Sequence, residues 1–185
     1  MIEKNISIHP LSDVHTHIIG KGTRIWQYAV ILEHAQIGED CNINAHTFIE
    51  GDVILGNRVT VKSGVYLWNG ARIADNVFIG PNATFVNDLK PRSREYPEHF
   101  AKIIIDEGAS LGANCTILGG RHIGSFSLIG AGALVTKDIP PFTLWYGSPA
   151  KHKGYITRSG IVLGLDLKDK ITGQQYHLKG GEPIV

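Results

Sequence analysis

The chain has 185 residues, 43% of them hydrophobic, and a formal net charge of +1 at pH 7. That length suffices for one domain with a sizeable core, and the near-neutral balance argues against a nucleic-acid or anionic-membrane partner. No apolar run approaches the ~18 residues of a membrane span and no signal-peptide pattern is present, so the expected location is cytoplasmic.

Residues 1–18 read as one irregular strand that leads into a repeat. From Ile19 every sixth residue is apolar without a break: Ile19, Ile25, Ile31, Ile37, Ile43, Ile49, Leu55, Val61, Leu67, Ile73, Ile79 and Phe85. Four residues after each anchor stands a small or β-branched side chain, as at Thr23, Ala29, Ala35, Cys41, Thr47 and Val53. Neither a 3.6-residue helix nor a period-2 strand makes this pattern. A fixed six-residue repeat is the signature of a parallel β-helix, in which each hexad forms one short side of a coil.

The period fails across residues 86–102, whose core reads VNDLKPRSREYPEHF, and resumes at Ile105, Leu111, Ile117, Ile123, Ile129, Val135 and Pro141. The step from Phe85 to Ile105 is 20 residues, of which one hexad accounts for 6, so 14 residues leave the wall. The hexads amount to roughly six three-sided coils, a prism about 30 Å tall at the usual strand spacing. The organisation expected is a β-helix domain over 1–153, with its loop at 86–102, and a C-terminal tail over 154–185. In the tail, ITGQQYHLKGGEP suggests a short hairpin. Cys41 and Cys115 both fall at inward small positions and read as buried hydrophobes, not as a disulfide or metal pair.

Three hexads make a coil, so residues 18 apart stack. On the side carrying Ile31, Ile49, Leu67 and Phe85 the outward residues include Val30, Leu32, Phe48, Tyr66 and Trp68. An apolar stripe rimmed by charge marks a partner surface, and that face is expected to meet neighbouring subunits. Coverage by the C-terminal tail is the alternative.

The hexads, the looped-out segment and the closing WYGSPAK resemble the left-handed β-helix acyltransferases. More narrowly, IGKGTRIWQYAVI, GNRVTVKSGVYLWNGARIADNVFIGPNATFVNDLKPRS and GSPAK resemble the N-acetyltransferases of nucleotide-linked 3-amino sugars, over most of residues 5–153. The resemblance implies an all-β left-handed coil, a homotrimer with active sites between adjacent subunits, and acetyl-CoA as co-substrate. It implies as substrate a dTDP-linked 3-amino-3,6-dideoxyhexose of a surface-polysaccharide pathway. A UDP-linked amino-uronate is the rival within the enzyme class. A non-catalytic β-helix scaffold is the rival outside it, and the loop at 86–102 argues against that reading.

Acetyl transfer to an amine asks little of a protein. It must place the neutral amine at the thioester carbon and stabilise an oxyanion, which backbone N–H groups can do. Asn87, two residues past the last anchor before the loop, stacks above Asn69, Gly51 and Glu33. Its side-chain carbonyl could accept a hydrogen bond from the sugar amine, the role the resemblance implies, or it could cap the turn. Asp88 could take a proton, orient the sugar or cap the loop. His46 could act as a base, but its stack runs to Gly64 and Asn82, away from Asn87. For the substrate, Arg92 is expected on the diphosphate, because guanidinium grips phosphate oxygens bidentately. Tyr96 and Trp68 are expected on a base or sugar face, with Glu50 and Asn69 beside them. Asn69 stands where the resembled family often has an acidic residue.

Gly119 and Gly120 fall in the Asn87 column just after the loop, where glycine would let an extended pantetheine reach the backbone. Lys137, Lys151 and Lys153 lie toward the far end, where the coenzyme phosphates are expected. Arg121 occupies an inward small position, so either the corner bulges or a buried carboxylate pairs with it. Among the nine histidines, no three have the spacing of a zinc site between subunits, and no metal is expected.

Overall fold

The computed structural model describes residues 5–185, all strand, turn and irregular backbone with no helix. The repeating unit is a two-residue strand and a tight corner. The second strand residue is the apolar anchor, and every anchor from Ile25 to Phe85 is buried. Immediately before most of the small inward residues, one residue takes a left-handed backbone, as at Tyr28, His34, Asp40, His46, Arg58, Asn76 and Asn82. That bend leaves room inside only for a short side chain, hence Ala29, Ala35, Cys41, Thr47 and Val59 after them.

Three parallel sheets form the walls. The first face stacks eight parallel strands: Ser7–Ile8, Arg24–Ile25, Asn42–Ile43, Thr60–Val61, Phe78–Ile79, Ser110–Leu111, Leu128–Ile129 and Thr143–Tyr146. The second carries Asp13–Val14, Val30–Ile31, Phe48–Ile49, Tyr66–Leu67, Thr84–Val86, Thr116–Leu118 and Leu134–Val135. The third runs from Gln36–Ile37 through Ile54–Leu55, Ala71–Ile73 and Ile103–Ile105 to His122–Ile123.

The register confirms the 18-residue stack, with Val30 opposite Phe48 and Phe48 opposite Tyr66. Across the loop, Thr84 pairs with Thr116 and Ala71 with Ile103, a step of 32 in place of 18. Fourteen residues therefore leave the wall, and the lattice closes behind them without a slip.

Both ends correct the reading of the sequence. The described part of residues 1–18 is not one irregular strand; residues 1–4 lie outside the described residues. Ser7–Ile8 and Asp13–Val14 already belong to two of the walls, pairing at a step of 17 with Arg24–Ile25 and Val30–Ile31. Eight strands deep rather than six coils, the prism is about 34 Å tall at the usual spacing. At the other end Ile139, not Pro141, is the buried anchor, and it bridges Ile123. Trp145 likewise pairs with Ile129, so the last coil is two residues short. The chain then reverses. Lys151–Ile156 pairs antiparallel with Thr143–Tyr146, and Val162–Leu163 pairs antiparallel with that strand. Lys151–Ile156 runs across residues 153 and 154, so the tail continues the first face. The hairpin lies at the end of the segment named for it, pairing His177–Lys179 with Glu182–Ile184 around Gly180 and Gly181, while residues 171–176 stay outside. Arg158 ties this hairpin to the prism, its guanidinium on Glu182 and over the Phe126 ring.

Candidate active site

The corner between the second and third faces stacks Glu33, Gly51, Asn69, Asn87 and Gly119. It is a tight column, since a Cβ on Gly51 would overlap the Glu33 carbonyl oxygen. Each corner leaves backbone N–H groups that no strand partner meets, and buried ones need an acceptor. Side chains supply it here. The Glu50 carboxylate accepts from the Asn69 N–H at 2.6 Å, and Asn69 Oδ1 accepts from the Asp52 N–H at 2.9 Å. Asn87 Nδ2 donates to the Asn69 carbonyl at 3.1 Å. A carbonyl acceptor fixes which end of the amide is which, so Asn87 Oδ1 is left without a protein donor among the described residues.

The loop leaves and returns at the same point. The Ala101 N–H donates to the Asn87 carbonyl at 2.9 Å, which closes its neck. Asp88 Oδ1 accepts from the Lys90 N–H at 3.0 Å, an Asx turn that caps the first bend. The loop itself encloses a cavity of about 450 Å³, lined by Asn87, Asp88, Leu89, Lys90, Tyr96 and His99 among others. A second, of about 440 Å³, opens on the third-face side, beside Asn69, Gly70, His99 and Lys102.

The structure thus brings Asn87, Asp88 and Tyr96 to one cavity and links Asn69 and Glu50 to it through hydrogen bonds. Arg92 does not join them. It is exposed, its guanidinium donates to the Pro91 carbonyl, and Lys90 is the cation at the cavity. Nor does Trp68. It packs with Phe48 and Tyr66, ring centroids 5.5 and 6.0 Å away, around an apolar recess of about 360 Å³. His46 lines that same recess, stacked on Tyr28 at 5.1 Å, at the opposite corner of the second face from Asn87.

The coenzyme expectations divide. A Cβ on Gly119 would meet the Val86 carbonyl and Ala101 Cβ, each at 2.7 Å, and Leu89 at 3.1 Å. The chain's own loop therefore fills the space that glycine makes there, and not a ligand. Gly120 has a positive φ of 73° and open space around it. Lys137 and Lys153 lie over the rings of Trp145 and Tyr146, and Lys151 is exposed beside them. Arg121 turns partly outward and meets Asp138 at 3.7 Å, a largely exposed carboxylate, so neither a bulge nor a buried partner is needed. Cys41 and Cys115 are buried as expected; burial pushes the Cys115 thiol up to about 12. His99, on both cavities, was missed because nothing periodic marks it within the loop.

A family model described as bacterial transferase hexapeptide (six repeats) matches residues 16–51. One for the hexapeptide repeat of succinyl-transferase matches residues 35–68 and 102–137, stopping and resuming around the loop. The chain is 54% identical over 149 residues to dTDP-3-amino-3,6-dideoxy-alpha-D-galactopyranose 3-N-acetyltransferase of Aneurinibacillus thermoaerophilus, covering 80% of this chain and 78% of that one. The chain belongs to the hexapeptide-repeat acyltransferases. Two solved structures share the fold. UDP-N-acetylglucosamine acyltransferase from Bacteroides fragilis aligns at a TM-score of 0.69 and 24% identity, over 82% of this chain and 61% of that one. A perosamine N-acetyltransferase from Caulobacter crescentus, in complex with CoA and GDP-perosamine, aligns at 0.58 and 23%, over 82% and 58%. In this hexapeptide-repeat acyltransferase the excursion of the wall and the side-chain ladder meet at one corner, and Asn87 is the residue they share.

Proposed function

We propose that this chain is an acetyl-CoA-dependent N-acetyltransferase acting on the 3-amino group of a dTDP-linked 3-amino-3,6-dideoxyhexose, a cytoplasmic step toward a surface polysaccharide. One observation carries it: 54% identity over 149 residues to an enzyme named for that activity. The corner chemistry supports it. An amine can attack only through its free lone pair, so a group that accepts one of its N–H bonds aims that lone pair without consuming it. Asn87 Oδ1 offers such an acceptor at the cavity. As the new C–N bond forms, the thioester oxygen gains negative charge for backbone N–H groups to stabilise. The C–S bond then breaks, and the departing thiolate can take the amine proton. Asn87 and Asp88 form the catalytic corner of this proposal, Lys90 and Tyr96 meet the nucleotide sugar, and Gly120, Lys137, Lys151 and Lys153 receive the coenzyme. The aromatic face is covered by neighbouring subunits in a homotrimer; its recess of apolar rings is the support for that.

Thiol release from acetyl-CoA, measured across a panel of nucleotide-linked amino sugars, tests the reading. Turnover is expected with dTDP-linked 3-amino-3,6-dideoxyhexoses. Preference for a UDP-linked amino-uronate would move the substrate assignment, and silence across the panel with intact acetyl-CoA binding would overturn it.

A further inference from the structure

We infer that Glu50 is a positioning residue for Asn87, acting through the Asn69 main chain, and not a substrate ligand. The inference rests on the proposed function, in which Asn87 Oδ1 receives the sugar amine. The chain of contacts is short. Glu50 Oε2 holds the Asn69 N–H at 2.6 Å, and the Asn69 carbonyl holds Asn87 Nδ2 at 3.1 Å. Where Asn69 sits therefore decides where the Asn87 amide points.

Other corners show what is unusual. The Glu39 N–H is met by Asn57 Oδ1 and the Asn57 N–H by Asp75 Oδ1, in each case a side chain 18 residues further on. At Asn69 the direction reverses, because the acceptor comes from the preceding coil, 19 residues back. The residue that would reach up from the following coil is Asn87 itself. With Glu50 meeting the N–H from behind, Asn87 is released from that capping duty. Its Nδ2 is spent on a carbonyl, and its Oδ1 is available to the cavity. Asn69 is pinned a second time, since its Oδ1 accepts from the Asp52 N–H and the Arg72 guanidinium holds the Asp52 carboxylate at 2.6 Å. Without Glu50, the Asn69 N–H lacks an acceptor. The Asn87 carbonyl is then the natural replacement, turning its amide over and away from the substrate.

A double-mutant cycle tests this, because residues that act through one another are not additive. Glu50→Ala should lower kcat roughly ten- to a hundredfold, the cost of misplacing a reacting group by about an ångström. Its KM for acetyl-CoA should stay near wild type. Glu50→Gln keeps an acceptor oxygen and should recover most of the loss. In an Asn87→Ala background, Glu50→Ala should cost less than twofold. Equal costs in both backgrounds overturn the inference. So does a Glu50→Gln variant as poor as the alanine one, or one that loses a limb of the pH profile, because Glu50 would then be acting on substrate as an anion or base. A loss that follows melting temperature, with kcat per assembled enzyme unchanged, also overturns it. Failure of the underlying reading looks different: Asn87→Ala alone would keep full activity, or the wild type would turn over none of the panel.

Discussion

The two corners that bound the second face carry opposite dressing. At one, Tyr28 and His46 take φ values of 60° and 59° and stack their rings outward on the wall. At the other, Glu50, Asn69 and Asn87 knit one coil to the next through side-chain and main-chain bonds. A non-glycine residue in the left-handed region costs roughly 1–2 kcal/mol, so the first corner spends stability to present an aromatic surface. The second spends polar side chains to hold one amide in place. On the proposed function, the first is a surface for contact and the second a site for chemistry, although both lie on one sheet.

The largest effect expected is on the contact side. Trp68→Glu would place a charge in the aromatic recess, and a charge desolvated there without a partner is strongly unfavourable. Sedimentation should find monomers or dimers, with activity lost alongside; an intact trimer would mean that this face is free. Next comes the contrast between the corners themselves. Asn87→Ala should lower kcat/KM about 10²-fold or more while keeping the shape of the pH profile, since an amide does not titrate. His46→Ala should cost far less, within about tenfold, because it lies across the face from the cavity; a general base typically contributes 10²–10⁴-fold. A collapsed rate in a properly assembled His46 variant would exchange the roles of the two corners. Within the loop, Lys90→Ala should raise KM for the nucleotide sugar about tenfold, the loss of one charge-assisted hydrogen bond. Arg92→Ala should change it less than threefold, and the reverse order would put the diphosphate outside the cavity.

The smallest effect belongs to a corner with no chemistry. The Asn57 backbone and side-chain N–H groups, with Arg58 beside them, hold the Asp75 carboxyl below the usual carboxylate range. A folded-state value below the unfolded one adds stability that is full above the unfolded pKa and fades as pH falls through the folded one. Asp75→Asn should therefore lower the melting temperature slightly at neutral pH and converge with the wild type in acid, which flattens the acid limb of the profile. An unchanged acid limb would remove Asp75 from the wall's charge balance.

The wall was legible because its rule is local: one anchor inward, one small residue at the bend, repeated every six residues. The 14-residue excision was equally plain, since the period resumes in phase. Where the rule bends by a residue or two, sequence reading slipped. The first coil pairs at 17, which placed Ile8 and Val14 out of phase with Ile19. The last coil pairs at 16, so counting sixes led to Pro141 where Ile139 is buried. Beside the loop, the position of Asn87 could be read because it sits on the lattice. Arg92, Lys90 and His99 could not be sorted, because the path of 88–100 depends on its own turns and not on the period. Glu50 was visible as a residue on the right face, while its bond to the Asn69 amide depends on a corner donor that no sequence pattern displays.

The neck formed by the Ala101 amide and the Asn87 carbonyl makes the loop a cassette. Its two ends meet at one rung and the coils on either side pair in register, so the wall does not sense what lies between. Closing a loop becomes harder only slowly with length, by about 0.6 kcal/mol for each doubling. Segments of quite different length and chemistry can therefore be exchanged at that neck while the amide they surround stays where it is. On this scaffold, the loop can be rewritten without re-registering the coils that pair on either side of it.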